Sequence, residues 1–130
     1  FPVLWVLHLA YLWIVVGFSL FGLVSLGKLA IGPAVHAFAI GGLGAMTYGM
    51  MTRVALGHTG RRIRPSRAVV SGYVLINLAA LVRVLGPLIP SVSPSGWVSL
   101  SGGLWIASFV VFCGRYFPDL TGPRIDGKWG

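Results

Sequence analysis

Acidic residues are almost missing from this chain. Among 130 residues Asp and Glu total 2, against 10 Lys and Arg, and both acids, Asp119 and Asp126, lie close to the C-terminal end. No carboxylate therefore stands in the long apolar body. That excludes proton relays through Asp or Glu pairs, carboxylate-rich metal sites and two-carboxylate hydrolysis there. Cysteine is equally scarce. The single Cys113 permits no internal disulfide and no paired-cysteine metal motif, and it reads as a small apolar residue. Ser, His and acid never converge at the spacing of a nucleophilic triad. The glycines of "GHTGRR" match neither nucleotide-binding fingerprint. Charge of any kind is sparse, at 9% of residues, where a soluble domain carries about 25%.

Apolar sequence takes its place. Hydrophobic residues make up 56% and the mean hydropathy is +0.88. Residues 1 to 27, 29 to 52, 68 to 82 and 84 to 114 contain no Asp, Glu, Lys or Arg. A bilayer-spanning helix needs about 20 apolar residues. The runs predict four spans at 3–26, 34–55, 68–88 and 96–116. Pro87, Pro90 and Pro94 confine the last connection to a short loop. The expected fold is all-α and integral to the membrane, with four transmembrane helices in an antiparallel bundle. The first run lacks a basic leader, and the chain opens on Phe1 rather than methionine, so a stretch of a larger polytopic protein is expected.

Basic residues are concentrated rather than spread. Arg53, Arg61, Arg62, Arg64 and Arg67 fall in the connection 53–67, and Arg115, Arg124 and Lys128 around the tail 117–130. The other connections carry Lys28 or nothing. Short Lys/Arg-rich loops stay cytoplasmic, and four antiparallel spans put both basic segments on one side. Both ends of the stretch are therefore expected on the cytoplasmic side. The formal charge of +8 suits anionic headgroups of the lipid bilayer. Nothing resembles a nucleic-acid recognition helix. Trp5, Trp13, Trp97, Tyr11, Tyr116 and Trp129 read as an interfacial belt.

Small residues recur every fourth position in the second span, at Ala37, Gly41, Ala45 and Gly49, a stripe that continues to Arg53. Ser99, Gly103 and Ala107 repeat the pattern in the fourth, and Gly17, Gly22, Gly72 and Ala80 extend it. Such stripes let neighbouring backbones approach closely, within the chain or in a membrane complex; they can also flank a flat cofactor.

Few side chains remain for chemistry. His8, His36 and His58 are the imidazoles, and a histidine in a span is costly unless it is paired or used. Each has two readings: a ligand to haem iron, copper or zinc, or a hydrogen-bonded packing residue. His58 in "GHTG" can equally end the helix. His36 and His58 are 22 residues apart, roughly 33 Å if helical, so they cannot share one ion. Arg83 falls at the level of His36, whereas His8 and Arg53 fall at that of His58. Met46, Met50 and Met51 are soft enough for copper but also fill gaps between helices.

The string "HAFAIGGLGAMTYGMMTRVALGHTGRRIRPS", the ending "YFPDLTGPRIDGKWG" and the stretch "LINLAALVRVLGPL" closely resemble the NnrS family of bacterial membrane proteins. The resemblance covers nearly the whole chain and places it in the C-terminal third of members with about a dozen spans. It implies haem b and copper, an inner-membrane location and a link to nitric oxide metabolism and nitrosative-stress protection. The catalytic activity is left open. On that basis His36 and His58 are the leading cofactor and metal ligands, with His8 next, and Arg53 and Arg83 either support those ligands from behind or pair with haem propionates. A second expectation from another class is a non-catalytic four-helix accessory or assembly subunit of a respiratory complex.

Overall fold

The structure is a computed structural model that describes residues 2–89 and 93–127. Its described residues form helices joined by short turns, without strands. Helix α1 is Pro2–Ser25. The second pass is built in three sections: α2, Ile31–His36; a π-helical segment, Ala37–Gly44; and α3, Ala45–His58. Helix α4 is Arg67–Leu85, followed by a 3-10 turn Gly86–Leu88, and α5 is Pro94–Thr121. Three helices, Pro2–Ser25, Arg67–Leu88 and Pro94–Thr121, are long and apolar enough to cross a membrane.

The helix ends follow from local chemistry. Ser66 and Ser93 cap α4 and α5, their hydroxyls accepting from Val69 N–H and Gly96 N–H, and Pro94 opens α5 where its missing N–H costs nothing. Helices α1 and α3 end on left-handed glycines, Gly27 at φ 69° and Gly60 at φ 74°. In each, two backbone bonds close the last turn: Gly27 N–H to Val24 O and Lys28 N–H to Leu23 O, then Gly60 N–H to Gly57 O and Arg61 N–H to Leu56 O. This is the Schellman arrangement, and a side chain at the glycine would strain it. Helix α5 runs through Pro118 to Thr121, past the expected end of the span at 116.

Neighbouring helices run antiparallel, and the second pass and α4 occupy the middle. Helix α1 lies along the second pass, while α5 packs chiefly along α4, with α1 and α5 on opposite sides. Aromatic rings seated on glycine backbone make the joints. Trp13 lies against Gly41 and Phe38 against Gly17, joining α1 to the second pass; Tyr48 lies against Gly72, joining α3 to α4; Trp97 lies against Gly86. Hydrogen bonds accompany them. Trp13 Nε1–H donates to Asn77 Oδ1 at 3.0 Å, Tyr48 O–H to Ser108 O at 2.8 Å and Ser101 O–H to Ala79 O at 2.8 Å.

The small-residue stripe of the second pass is buried at Ala37, Gly41, Ala45 and Gly49, while Arg53 is exposed. Its occupants are side chains, Trp13 on Gly41 and Val6 with Leu7 on Gly49, rather than the backbone expected from the spacing. The stripe of α5 behaves differently. Ser99 and Gly103 are exposed, and α5 buries Ser101, Ser108, Phe112, Tyr116 and Asp119 instead. Gly17 and Gly72 seat aromatic rings, whereas Gly22 has open space beside it. The aromatic belt is also partly reassigned. Trp13 and Tyr116 are buried in the packing, and Trp129 lies outside the described residues.

A Cβ at Gly72 would collide with the Tyr48 hydroxyl and break its bond to Ser108. Gly72→Val is expected to destabilise the helical assembly by about 1–3 kcal/mol, the usual range for overpacking. Gly103→Ala, with nothing within 4 Å of the added atom, should leave it unchanged or slightly more stable. Thermal unfolding in detergent, monitored by circular dichroism, separates the two.

Candidate functional site

The best-formed hollow is a groove of about 460 Å³ between α3 and α5. Leu43, Met46, Thr47, Met50, Met51 and Val54 form its long wall, spaced along one face of the second pass, and Phe112 and Leu120 of α5 close the other side. His58 ends the stripe as the last residue of α3. Apart from Thr47 and His58 the lining is apolar. The imidazole is exposed to the groove and forms no hydrogen bond among the described residues. It can therefore donate a ring nitrogen to an incoming ligand.

The turn after His58 is held by every acid the chain has. Asp119, buried at the end of α5, bridges Arg61 at 3.0 Å and Arg115 at 2.8 Å. Asp126 lies against Gly60 and takes two bonds from Arg124, at 2.9 and 2.7 Å. Those bonds raise an arginine pKa that already lies far above neutrality, so the pair stays charged. Ile125 N–H reaches Thr59 O at 3.5 Å. The tail is thus folded onto the basic elbow, and Leu120, beside Asp119, reaches the groove that His58 ends.

The remaining sequence candidates are distributed, not gathered. His36 is the last residue before the π segment, half-buried, and an electrostatic neighbour of Arg83. Arg83 borders a second hollow of about 440 Å³ with Ile40, Ser101 and Trp105, and has no acid partner among the described residues. His36 and His58 stand on opposite sides of the π segment, near the two ends of the second pass. His8 is exposed on α1, where its Nδ1–H donates to Leu4 O one turn back at 2.6 Å. Arg53 does not face the groove; it lines a separate hollow against Pro2, Val3 and Leu4. No group of three or more His, Cys, Asp or Glu occurs among the described residues.

Two features escaped the sequence. The Asp119 latch was half visible, since Arg115 and Asp119 have the i,i+4 spacing of a helical ion pair; Arg61 gave no such signal. The hydroxyls of Tyr73 and Tyr116 are buried near Thr52 without completing a hydrogen bond, while Thr52 donates to Tyr48 O at 3.0 Å. Those three residues lie on separate helices and nothing in their spacing joins them.

Fold and groove together define a class: an apolar helical protein whose one imidazole-ended groove is walled by thioethers. The chain belongs to the NnrS family, whose model, described as NnrS protein, matches residues 1–124. No curated protein and no solved structure matches it.

Removing the Asp119 charge leaves Arg61 and Arg115 without their carboxylate. Asp119→Asn is expected to cost about 1.5–3 kcal/mol, the range for hydrogen bonds to charged groups, and to free the elbow. Hydrogen exchange of the amides of residues 59–64 should accelerate, while those of α1 stay protected.

Proposed function

We propose that this chain is a bilayer-embedded haem- and copper-binding member of the NnrS family acting in nitric oxide metabolism or nitrosative-stress protection. The groove between α3 and α5 is the cofactor slot, and His58 its imidazole ligand. The observation that carries this reading is an unpartnered imidazole at the end of an apolar groove walled by Met46, Met50 and Met51. The donor set fits both groups: a haem takes an axial imidazole within an apolar slot, and thioether with imidazole suits Cu(I). Bound haem supplies reversible ligation and one-electron chemistry toward small nitrogen oxides.

The chain's own residues do the rest. Leu43, Phe112 and Leu120 give the slot its apolar walls. The Asp119–Arg61 pair holds the turn that carries His58 and brings Leu120 beside it. His36 with Arg83 forms the second polar station, at the opposite end, where a further ligand or a propionate is accommodated. His8 is the third candidate ligand and acts only through its Nε2, because Nδ1–H is engaged with Leu4.

The start of α1, the elbow and the tail meet at one end: Pro2 and Leu4 border the hollow with Arg53, and Asp119 reaches Arg61. That end, rich in arginine, is the cytoplasmic one by the distribution of positive charge, which gives an inner-membrane protein with both described ends inside. A second reading, a non-catalytic accessory subunit, is favoured by the uncovered face of α5, where Gly102 and Gly103 have open space beside them.

Absorption spectra of the purified full-length protein test the choice. A Soret band is expected, with most of its intensity lost in His58→Ala and retained in His8→Ala. A colourless, copper-free wild type overturns the cofactor reading. Retained cofactor in His8→Ala, His36→Ala and His58→Ala, with association lost in Gly103→Leu, establishes the accessory one.

A further inference from the structure

The two acids match only part of the basic end. Arg61, Arg115 and Arg124 are paired. Arg53, Arg62, Arg64 and Arg67 are exposed and have no ion pair among the described residues. Two of these four stand apart from a plain solvated face. Arg53 borders a hollow of about 260 Å³ and Arg64 an adjoining one of about 360 Å³, and the two share Pro2, Ile63 and Pro65 as walls. Val3 and Leu4 of α1 continue the apolar floor. Two arginines and several apolar side chains around adjoining hollows make an amphipathic site, located where the uncharged run of α1 meets the arginine elbow.

The chemistry selects the occupant. A free inorganic anion would use the arginines and leave the floor bare. A zwitterionic lipid would cover the floor with no net charge to set against two cations. We propose that this hollow binds an anionic glycerophospholipid, its phosphate on Arg53 and Arg64 and its acyl chain along Val3, Leu4 and Ile63. Guanidinium forms paired hydrogen bonds to phosphate that an ammonium cannot match in geometry. The proposal rests on the membrane reading of the apolar helices and not on haem or copper.

Native mass spectrometry tests it, on the full-length protein released from nanodiscs of phosphatidylcholine with a minor share of phosphatidylglycerol. Wild type should retain phosphatidylglycerol preferentially. Each neutralised arginine should cost about fivefold, and Arg53→Gln/Arg64→Gln together roughly twenty-five-fold. Arg62→Gln/Arg67→Gln, outside the hollow, should retain the preference, and Arg53→Lys/Arg64→Lys should keep only the part that charge alone supplies. Equal retention of both lipids by wild type overturns the proposal. So does an equal loss in the two glutamine pairs, which would mean diffuse charge or a protein carboxylate as partner. Displacement of the lipid by millimolar inorganic phosphate would mean a soluble-anion site instead. Should the Arg53/Arg64 variant fail to fold, a photoactivatable phosphatidylglycerol on wild type decides: cross-links at Val3, Leu4 or Ile63 support the site, and cross-links elsewhere refute it. Recovery of wild type from the aqueous phase without detergent would sink the membrane reading itself, a distinct result.

Discussion

Aromatic rings resting on bare backbone hold this molecule together. Each joint between sequence-adjacent passes has one: Trp13 or Phe38 for the first, Tyr48 for the second, Trp97 for the third. Lipid is as apolar as leucine, so burying hydrocarbon between helices gains little in a bilayer, and association rests on close fit and a few hydrogen bonds. A ring on a glycine supplies both. It brings many atoms into contact, and in Trp13 and Tyr48 its polar tip reaches past the glycine's helix to a partner on the one beyond, Asn77 of α4 and Ser108 of α5. Interhelical bonds of this kind average about 0.6 kcal/mol in membrane proteins, so the fit around the ring carries much of the rest. The groove is the space left open where Phe112 and Leu120 of α5 approach α3 without filling the gap between.

Much of the fold was legible because apolar run length is a long-range signal that needs no partner. The helix end at Thr59–Gly60 was legible for a local reason, since a glycine after Thr59 is the residue that tolerates φ 74°. The small-residue stripe in the second pass pointed to close packing, but spacing could not tell that rings would occupy it. The α5 stripe misled for a related reason: Ser99 and Gly103 have the right interval and the wrong face, and only the position of α4 decides which face is covered. The π segment is illegible from periodicity, because "AFAIGGLG" is apolar all round and any helix period fits it.

The candidate site was readable as a list of side chains and not as a place. His58, Met46, Met50 and Met51 were each visible in the sequence. Their union on one wall depends on the turn of the second pass, and the far wall comes from residues more than fifty positions later. Arg53 shows the limit from the other direction. It stands four residues beyond the buried stripe, yet it faces α1 rather than the groove. The acids were legible only as an absence from the apolar body. Their use as the two clamps of one turn depends on the tail folding back over the elbow.

The π segment between His36 and His58 has a bearing on how this protein can change. A π turn takes up one residue more than an α turn, so the second pass holds slack at Ala37–Gly44. Each residue added to an α-helix rotates the next by about 100°, at 3.6 residues per turn. Deleting one residue there would let the chain relax toward α geometry and leave the methionine wall near its present phase to His36, whereas the same deletion within α-helical sequence would swing it. The segment is thus a buffer between the two polar stations, and the place where the loss of one residue disturbs either histidine least.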